Sequence, residues 1–293
     1  MALPLSPVRA RLLWMSPAFT PTVAILLALL GVAVGTFGTL VGVGGGFLLA
    51  PVLLIVYPHE SPKTIAAISL AVVFVNAAAG SVAYGRQRRI DYRGGLAFGL
   101  AGIPGAIIGV FLVGLVPRRP FDVIFAALLI GVGVRLFLRP SGVMAVREGE
   151  ISGSQRDLID SRGTHYRYRV RVGQGATLGV LIGFLSSFLG IGGGIFQMPL
   201  MIGYLGFPAA VATATSQFVV AILSAVGTTT HILSGGFANG HGLRRTACLS
   251  AGVLIGAQLG ARLSLSLAAN IVQRLLAFAI IAVAIRLAIA AFD

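Results

Sequence analysis

One glycine cluster occurs twice in this chain, and it constrains the fold more than any other feature. Residues 42–51 read GVGGGFLLAP, and 148 residues later residues 190–199 read GIGGGIFQMP. Both copies interrupt long apolar runs, and glycine permits backbone conformations that end a helix. Broken helices at membrane depth are typical of transport proteins, in which the freed backbone groups face a substrate. The repeat therefore predicts a membrane protein with two related, interrupted segments.

The composition is that of a membrane protein. Hydrophobic residues make up 57% of the chain, charged residues make up 10%, and the mean hydropathy is +0.96. Apolar runs long enough to cross ~30 Å of hydrocarbon recur along the chain. Cys248 is the single cysteine, so the chain cannot form an internal disulfide. The net charge of +14 comes from arginines clustered between apolar runs, a pattern of membrane topology and not of nucleic-acid binding.

The apolar runs predict about eight transmembrane helices. We place the spans near 21–57, 62–85, 94–116, 120–138, 174–206, 209–234, 246–262 and 270–291. The first and fifth are too long for one straight helix, and the glycine clusters are the natural points of interruption. The predicted fold is an all-α polytopic membrane protein with two homologous four-helix halves, each with a glycine-broken first helix. Residues 1–139 and 174–293 form the two repeats, and residues 140–173 form a cytoplasmic linker that could hold a short hairpin over residues 166–172.

Arginine positions orient these spans. If each interrupted segment crosses the membrane once, fifteen loop arginines lie on the side of the N-terminus and five basic residues lie on the other side. The charge distribution thus favours single crossings over hairpins that return to their own side. It places both termini and the linker in the cytoplasm. Four crossings per half is an even number, so the two halves are expected to run parallel.

Further correspondences follow the two glycine clusters. Residues 67–70 (AISL) match residues 214–217 (ATSQ), and a pattern of small residues recurs at Gly102, Gly105 and Gly109 and at Gly252, Gly256 and Gly260. Together with the paired Gly-x-Gly-Gly-Gly-x4-Pro elements, these features resemble the TauE/SafE family of membrane permeases. The resemblance implies export of sulfite or of a sulfur-containing organic anion, such as a sulfonate, across the bacterial inner membrane. The chain departs from the family pattern at Ile68, where the second copy has Thr215.

The glycines also define the candidate substrate site. They can turn successive backbone N–H groups toward one point, and helices that restart at Phe47 and Ile195 would add positive helix ends. Such a site suits an anion, and polar side chains on neighbouring spans would refine its selectivity. The alternative is that the glycines serve helix packing and that the polar side chains only join helices. The predicted substrate-binding residues are Gly44, Gly45, Gly46, Gly192, Gly193, Gly194, Ser69, Asn76, Gln197, Ser216 and Gln217.

Few ionisable residues fall within the predicted spans. His231 aligns with Tyr84 near a helix end, where we expect an interfacial position. Arg135 and Arg286 are expected to reach the cytoplasmic surface, with attraction of substrate as the alternative. All eight acidic residues lie in loops or at span ends, so no proton relay is evident. Outward movement of an anion driven by the membrane potential fits this inventory.

Other classes of function fit the sequence less well. The sixth position of each cluster is Phe47 or Ile195 and not the glycine of a dinucleotide-binding motif, and no Walker A or His-Glu-x-x-His sequence occurs. The remaining alternatives are a non-transporting membrane assembly or scaffold factor and an intramembrane hydrolase that pairs a serine with His231. We expect no cofactor and no metal. The expected partners are a small anion and the lipid bilayer but no nucleic acid. The sequence does not decide the oligomeric state, and a homodimer is one alternative.

Overall fold

The computed structural model describes residues 20–138, 153–237 and 241–264, together with residues 278, 280–282, 285 and 286. The described helices before the linker are α1 (Pro21–Val41), α2 (Gly46–Val56), α3 (Pro62–Arg86), α4 (Tyr92–Val113) and α5 (Arg118–Leu138). Strands β1 (Ser154–Ile159) and β2 (His165–Val170) form an antiparallel hairpin. The described helices after it include α6 (Val172–Leu189), α7 (Gly194–Gly203), α8 (Ala209–Leu233) and α9 (His241–Leu263).

Six of the described helices are long and apolar enough to cross a membrane, namely α1, α3, α4, α6, α8 and α9. Large apolar side chains such as Leu100, Ile108 and Phe111 on α4 are exposed. In a membrane these side chains contact lipid. The protein is therefore a multi-pass membrane protein whose described membrane segments are all α-helical, with the β-hairpin as an addition that the all-α prediction did not include. Most of the last predicted span, 270–291, lies outside the described residues.

Both long segments are interrupted at the glycine clusters, as predicted. Helix α1 ends at Val41 and α2 begins at Gly46, while α6 ends at Leu189 and α7 begins at Gly194. The helices thus restart one residue earlier than expected. The two breaks use left-handed backbone at matching positions: Gly42, Gly44 and Gly45 have φ of 80°, 85° and 82°, and Gly190, Gly192 and Gly193 have φ of 72°, 78° and 76°. Residues with a side chain rarely adopt this left-handed conformation, which explains why both breaks have glycine at these three positions.

The segment formed by α6 and α7 folds back on itself. Arg171 immediately precedes α6, and its guanidinium lies 5.6 Å from the ring centre of Tyr204, which follows α7. Tyr168 likewise contacts Phe207, with ring centres 5.3 Å apart. Both ends of this segment therefore lie on the same face of the protein.

The segment formed by α1 and α2 folds back in the same way. Arg245, near the start of α9, pairs with Glu60, which follows α2, at 2.8 Å. Helix α9 packs parallel to α1, because Gly252 lies against Ala28 and Gly260 lies against Thr36. The start of α1 therefore lies on the same face as the end of α2. The prediction that each interrupted segment crosses the membrane once is wrong.

The helical hairpins define two faces of the protein. On the Glu60 face, Lys63 Nζ donates to the Ser234 carbonyl at 2.6 Å. On the opposite face, which we call the β-hairpin face, Gln87 Nε2 donates to the Ala261 carbonyl at 3.2 Å. The start of α1 and the β-hairpin lie on opposite faces, so these two parts of the chain do not share the cytoplasmic side as predicted; residues 1–19 lie outside the described residues. The C-terminus lies outside the described residues.

The prediction of parallel halves is also wrong. Helix α3 runs from the Glu60 face to the β-hairpin face, whereas its counterpart α8 runs from Phe207 beside the β-hairpin to Ser234 beside Lys63. The physical reason is that each interrupted segment returns to its own side, which leaves an odd number of crossings between matching segments. Counting arginines could not reveal the inverted direction of the halves. The arginines between 86 and 93 lie on the same side as the linker whether the interrupted segments cross the membrane once or fold back as hairpins.

Glycines set the closest helix contacts. Helix α1 packs on α9, and α4 packs on α6, with glycine backbone against the backbone of the partner helix. A Cβ at Gly256 would collide with the Val32 carbonyl, and a Cβ at Gly105 would collide with the Val180 carbonyl. Such contacts are the usual means of close helix association in membranes. Helices α3 and α8 pack on each other and join the two pairs.

The β-hairpin is docked on the turn between α3 and α4. The carboxylate of Asp91 accepts the N–H of Gly94 at 2.9 Å and the hydroxyl of Tyr168 at 3.1 Å, and it lies 3.5 Å from Arg156 Nε. Arg89 pairs with Asp160 at 3.4 Å. Residues 153–171 of the predicted linker are therefore docked on the helices, and residues 166–170 form one strand of the hairpin and not a hairpin of their own.

Two pKa shifts accompany this docking. Burial alone would raise the pKa of Asp160, but hydrogen bonds from the backbone of Thr164 and Arg162 and the charge of Arg89 hold it below its usual value. Burial and the neighbouring Asp91 carboxylate raise the pKa of Tyr168, so its hydroxyl stays protonated and donates to that carboxylate.

Candidate functional site

The two glycine breaks contact each other inside the protein. Gly46 lies against the backbone of Ile191, and a Cβ on Gly46 would lie 2.6 Å from the Ile191 carbonyl oxygen. In the matching contact, Gly194 lies against the backbone of Val43. No side chain fits between these backbones. The two breaks thus form one structural unit, which we call the glycine centre (residues 42–46 and 190–194).

Helices α3 and α8 enclose the glycine centre. Gly44 and Gly192 both face the same two side chains, Val73 on α3 and Val220 on α8. A Cβ on Gly44 would lie 2.7 Å from a Val220 methyl, and one on Gly192 would lie 2.5 Å from a Val73 methyl. The middle of α3 and the middle of α8 therefore hold the breaks together.

Some of the predicted N–H donors are already engaged. The N–H of Gly44 donates to the Gly38 carbonyl at 3.1 Å, and the N–H of Gly192 donates to the Ser186 carbonyl at 3.4 Å. Within the described ranges, no hydrogen bond uses the N–H of Gly45, Gly46, Gly193 or Gly194. These groups lie at the starts of α2 and α7, where unpaired N–H groups and the helix dipole favour negative charge.

A buried hydrogen-bond network joins two predicted polar residues to the glycine centre. Asn76 Nδ2 donates to the Gly44 carbonyl at 3.0 Å, and Thr39 Oγ1 donates to Asn76 Oδ1 at 3.0 Å. Gln217 Nε2 donates to Thr39 Oγ1 at 3.3 Å, and the Tyr84 hydroxyl donates to the Thr39 carbonyl at 2.8 Å. The network thus includes Thr39 and Tyr84, which sequence reasoning did not select. Their positions in the sequence could have identified them, because Thr39 shortly precedes a glycine cluster and Tyr84 shares a helix face with Asn76.

Three other predicted residues are buried without joining this network. Within the described part of the chain, Ser69 Oγ, Ser216 Oγ and Gln197 Oε1 have no hydrogen-bond partner. Most buried polar atoms in proteins are paired, so unpaired ones mark places where water or a ligand can bind. A role for these three side chains in substrate binding stays a prediction.

The three ionisable residues that the sequence analysis placed near helix ends, His231, Arg135 and Arg286, have different surroundings in the structure. His231 is fully buried, so its side chain does not lie at the lipid interface as expected. Arg286 is exposed, and the side chain of Arg135 lies outside the described residues.

Comparison with known proteins identifies the family of this chain. The family model described as Sulfite exporter TauE/SafE matches residues 27–287, which include both breaks. The probable membrane transporter protein YunE of Bacillus subtilis is 30% identical over 219 residues, which cover 72% of this chain and 79% of YunE. The probable membrane transporter protein ORF9 of Sinorhizobium sp. is 28% identical over 265 residues, which cover 89% of this chain and 92% of ORF9. No solved structure matches the chain. The chain belongs to the TauE/SafE sulfite exporter family.

Proposed function

We propose that this protein is a permease that exports a small anion, sulfite or an organic sulfonate, across the bacterial inner membrane. The observation that carries the proposal is the glycine centre, where two helix N-termini begin at facing backbone breaks. Membership of the family supports transport, and the family description supports a sulfur oxyanion as substrate.

The electrostatics of the glycine centre favour an anion over a cation. Each of α2 and α7 begins there with unpaired N–H groups, and the positive end of a helix dipole attracts negative charge. The described acidic residues lie on the two faces of the protein and not beside the breaks; Asp122, in the second turn of α5, is paired with Arg118 at 2.7 Å. Backbone dipoles without a fixed positive charge hold an anion weakly enough to release it, as a transporter requires.

We infer that the chain forms eight membrane segments in two inverted, matching halves, each with a glycine-broken first helix. Matching φ angles at the two breaks and the opposite directions of α3 and α8 support this organisation. Charge supports an orientation with the β-hairpin face in the cytoplasm. Among the described residues, the β-hairpin face carries ten arginines (86, 88, 89, 93, 156, 162, 167, 169, 171 and 262), and the Glu60 face carries five basic residues (63, 118, 119, 244 and 245).

Flux measurements in proteoliposomes test the proposal. Liposomes that contain the purified protein and are loaded with sulfite or methanesulfonate should release the anion faster than protein-free liposomes. A cation such as choline should not be released faster. Monodisperse protein that releases neither anion would favour the alternative of a scaffold or assembly factor.

A further inference from the structure

Two buried rows of residues lead from the glycine centre to the two faces of the protein. On α3 the row contains Val73, Asn76, Gly80 and Tyr84, and it ends at the β-hairpin face; we call it the Tyr84 row. On α8 the row contains Val220, Ser224, Gly227 and His231, and it ends at the Glu60 face; we call it the His231 row. The spacings are those of one helix face, and every residue named here is buried.

The Tyr84 row is closed by the protein itself. The amide of Gln217 fills the space beside Gly80, since a Cβ on Gly80 would lie 2.6 Å from Gln217 Nε2. Thr39 and Asn76 complete the hydrogen bonds described above. The Thr39 hydroxyl, the Asn76 amide and the Gln217 amide nitrogen thus have protein partners, whereas Gln217 Oε1 has none among the described residues.

The His231 row matches the Tyr84 row at its valine, its glycine and its ring residue, but Leu223 stands at the position of Asn76, and Ser224 Oγ donates to the Val220 carbonyl of its own helix. Gly227 corresponds to Gly80, and a Cβ there would lie 2.7 Å from Ser187 Oγ and 3.0 Å from Leu70. Leu70 therefore occupies the place that Gln217 has in the other row. Ser187 Oγ and both imidazole nitrogens of His231 are buried, and in the described ranges they have no hydrogen-bond partner. His231 lies one helical turn from Gly227, about 6 Å along the helix axis.

The charges around His231 favour an anionic ligand. Lys63 on α3 lies close enough to act on the imidazole electrostatically, and its ammonium is held by the Ser234 carbonyl. On the same face, Glu60 and Arg245 are paired with each other. Helices α6 and α8 contribute no other charged residue. A second positive charge on a buried imidazole beside Lys63 is unfavourable by itself, but an anion bound there would offset both charges.

We propose that Ser187 and His231 form a binding site for a small oxyanion between the glycine centre and the Glu60 face, and that His231 takes up a proton when the anion binds. The proposal rests on the function proposed above and names a site on the path of that substrate. The serine hydroxyl and one imidazole N–H donate to the anion. The other ring nitrogen takes up a solvent proton from the Glu60 face when the anion arrives from the glycine centre, and anion and proton leave together at that face. This arrangement replaces the expectation that the chain has no proton relay.

The test is the pH dependence of anion affinity in proteoliposomes. The probe is methanesulfonate, because its charge does not change between mildly acidic and mildly alkaline pH. In the wild type, the apparent affinity should fall as pH rises, by up to about tenfold per pH unit above the imidazole pKa. His231→Gln should remove this slope and leave less than about a twofold change. Ser187→Ala should keep the slope but bind the anion about tenfold more weakly.

Thr230→Ala is the matched control. Its hydroxyl donates to the Val226 carbonyl of the same helix, next to His231 in sequence. The control should keep both the affinity and the slope of the wild type. A pH slope that persists in His231→Gln overturns the proposal. Wild-type flux without any pH slope also overturns it while leaving the proposed function intact, whereas no flux of sulfite or methanesulfonate at any pH overturns the proposed function itself.

Imidazole ¹⁵N spectra of the wild type provide a second measurement if the His231 variant does not fold. The chain has four histidines; among the three whose burial the structure describes, His231 is fully buried and His59 and His165 are exposed. Added methanesulfonate should convert one histidine from the neutral to the protonated form. Spectra in which no histidine changes its protonation state would overturn the proposal.

Discussion

Alanine at Gly45 and alanine at Gly193 should destabilise the protein to different extents, although the two residues hold matching places in the breaks. Their φ angles are 82° and 76°, and left-handed backbone costs alanine about 1–2 kcal/mol. At Gly45 the new Cβ would lie 2.8 Å from a methyl and from the carbonyl oxygen of Val34. At Gly193 the nearest atoms, on Ile182 and Ser186, lie at 3.0 and 3.1 Å. The closer contact with backbone adds about 1–3 kcal/mol at Gly45.

We therefore expect the free energy of unfolding to fall by about 2–5 kcal/mol in Gly45→Ala and by about 1–2 kcal/mol in Gly193→Ala. Denaturation of the purified protein in mixed detergent micelles measures both losses. Gly131→Ala is the matched control, because a Cβ on this α5 glycine would meet no neighbouring atom within 4 Å and its φ is not positive. It should be neutral or slightly stabilising, since alanine favours a helix.

Anion flux gives an independent measurement on the same variants. Both substitutions change the direction of the N–H groups at the glycine centre, so both should abolish flux while the protein still inserts and stays monodisperse. Equal stability losses at Gly45 and Gly193 would contradict the steric argument. Near-normal flux in both variants would refute the glycine centre as the substrate site.

Three further predictions concern topology, docking and the buried network. In a Cys248→Ser background, an impermeant maleimide should label Arg244→Cys and Arg93→Cys from opposite sides of the membrane; labelling from one side would contradict the helical hairpins. Because the pKa of Asp160 is below its usual 3.8 in the folded protein, its stabilisation of the docked β-hairpin is fully present above that value and is lost as pH falls through the lowered pKa. Asp160→Asn should therefore expose the β-hairpin to hydrogen exchange at neutral pH, and unchanged protection would argue against the docking role. Asn76→Leu should cost about 1–3 kcal/mol in the same denaturation assay, because a buried carbonyl loses its donor; an unchanged value would mean that the network adds no stability.

The positions of the helix breaks could be predicted from sequence, whereas the direction in which the chain continues after each break could not. Left-handed backbone at three positions per break requires glycine, so the chemistry is local and visible in the sequence. The return of each segment depends on contacts between distant residues, such as Arg245 with Glu60. Charge counts do not report those contacts, and they favoured the wrong topology.

The candidate site, like the fold, could be predicted only in part from the sequence. Asn76 and Gln217 could be selected because amides are rare in apolar spans, and the structure joins both to the glycine centre. Thr39 was missed because a single threonine in an apolar helix usually bonds to its own backbone. The burial of His231 was missed because its helix ends near a face; in the structure Gly236 lies beside the ring, at a contact that the sequence does not show.

The pairing of α1 with α9 has a consequence for assembly of the protein in the membrane. Helix α1 is made early, but the glycines that receive its backbone, Gly252, Gly256 and Gly260, lie near the other end of the chain. Helix α6 differs, because its partner α4 is already present when α6 is synthesised. During synthesis, α1 must therefore remain against lipid or a chaperone until α9 is inserted. A chain that stops before α9 leaves α1 without its partner, so the first described helix reaches its final position only after α9 is made.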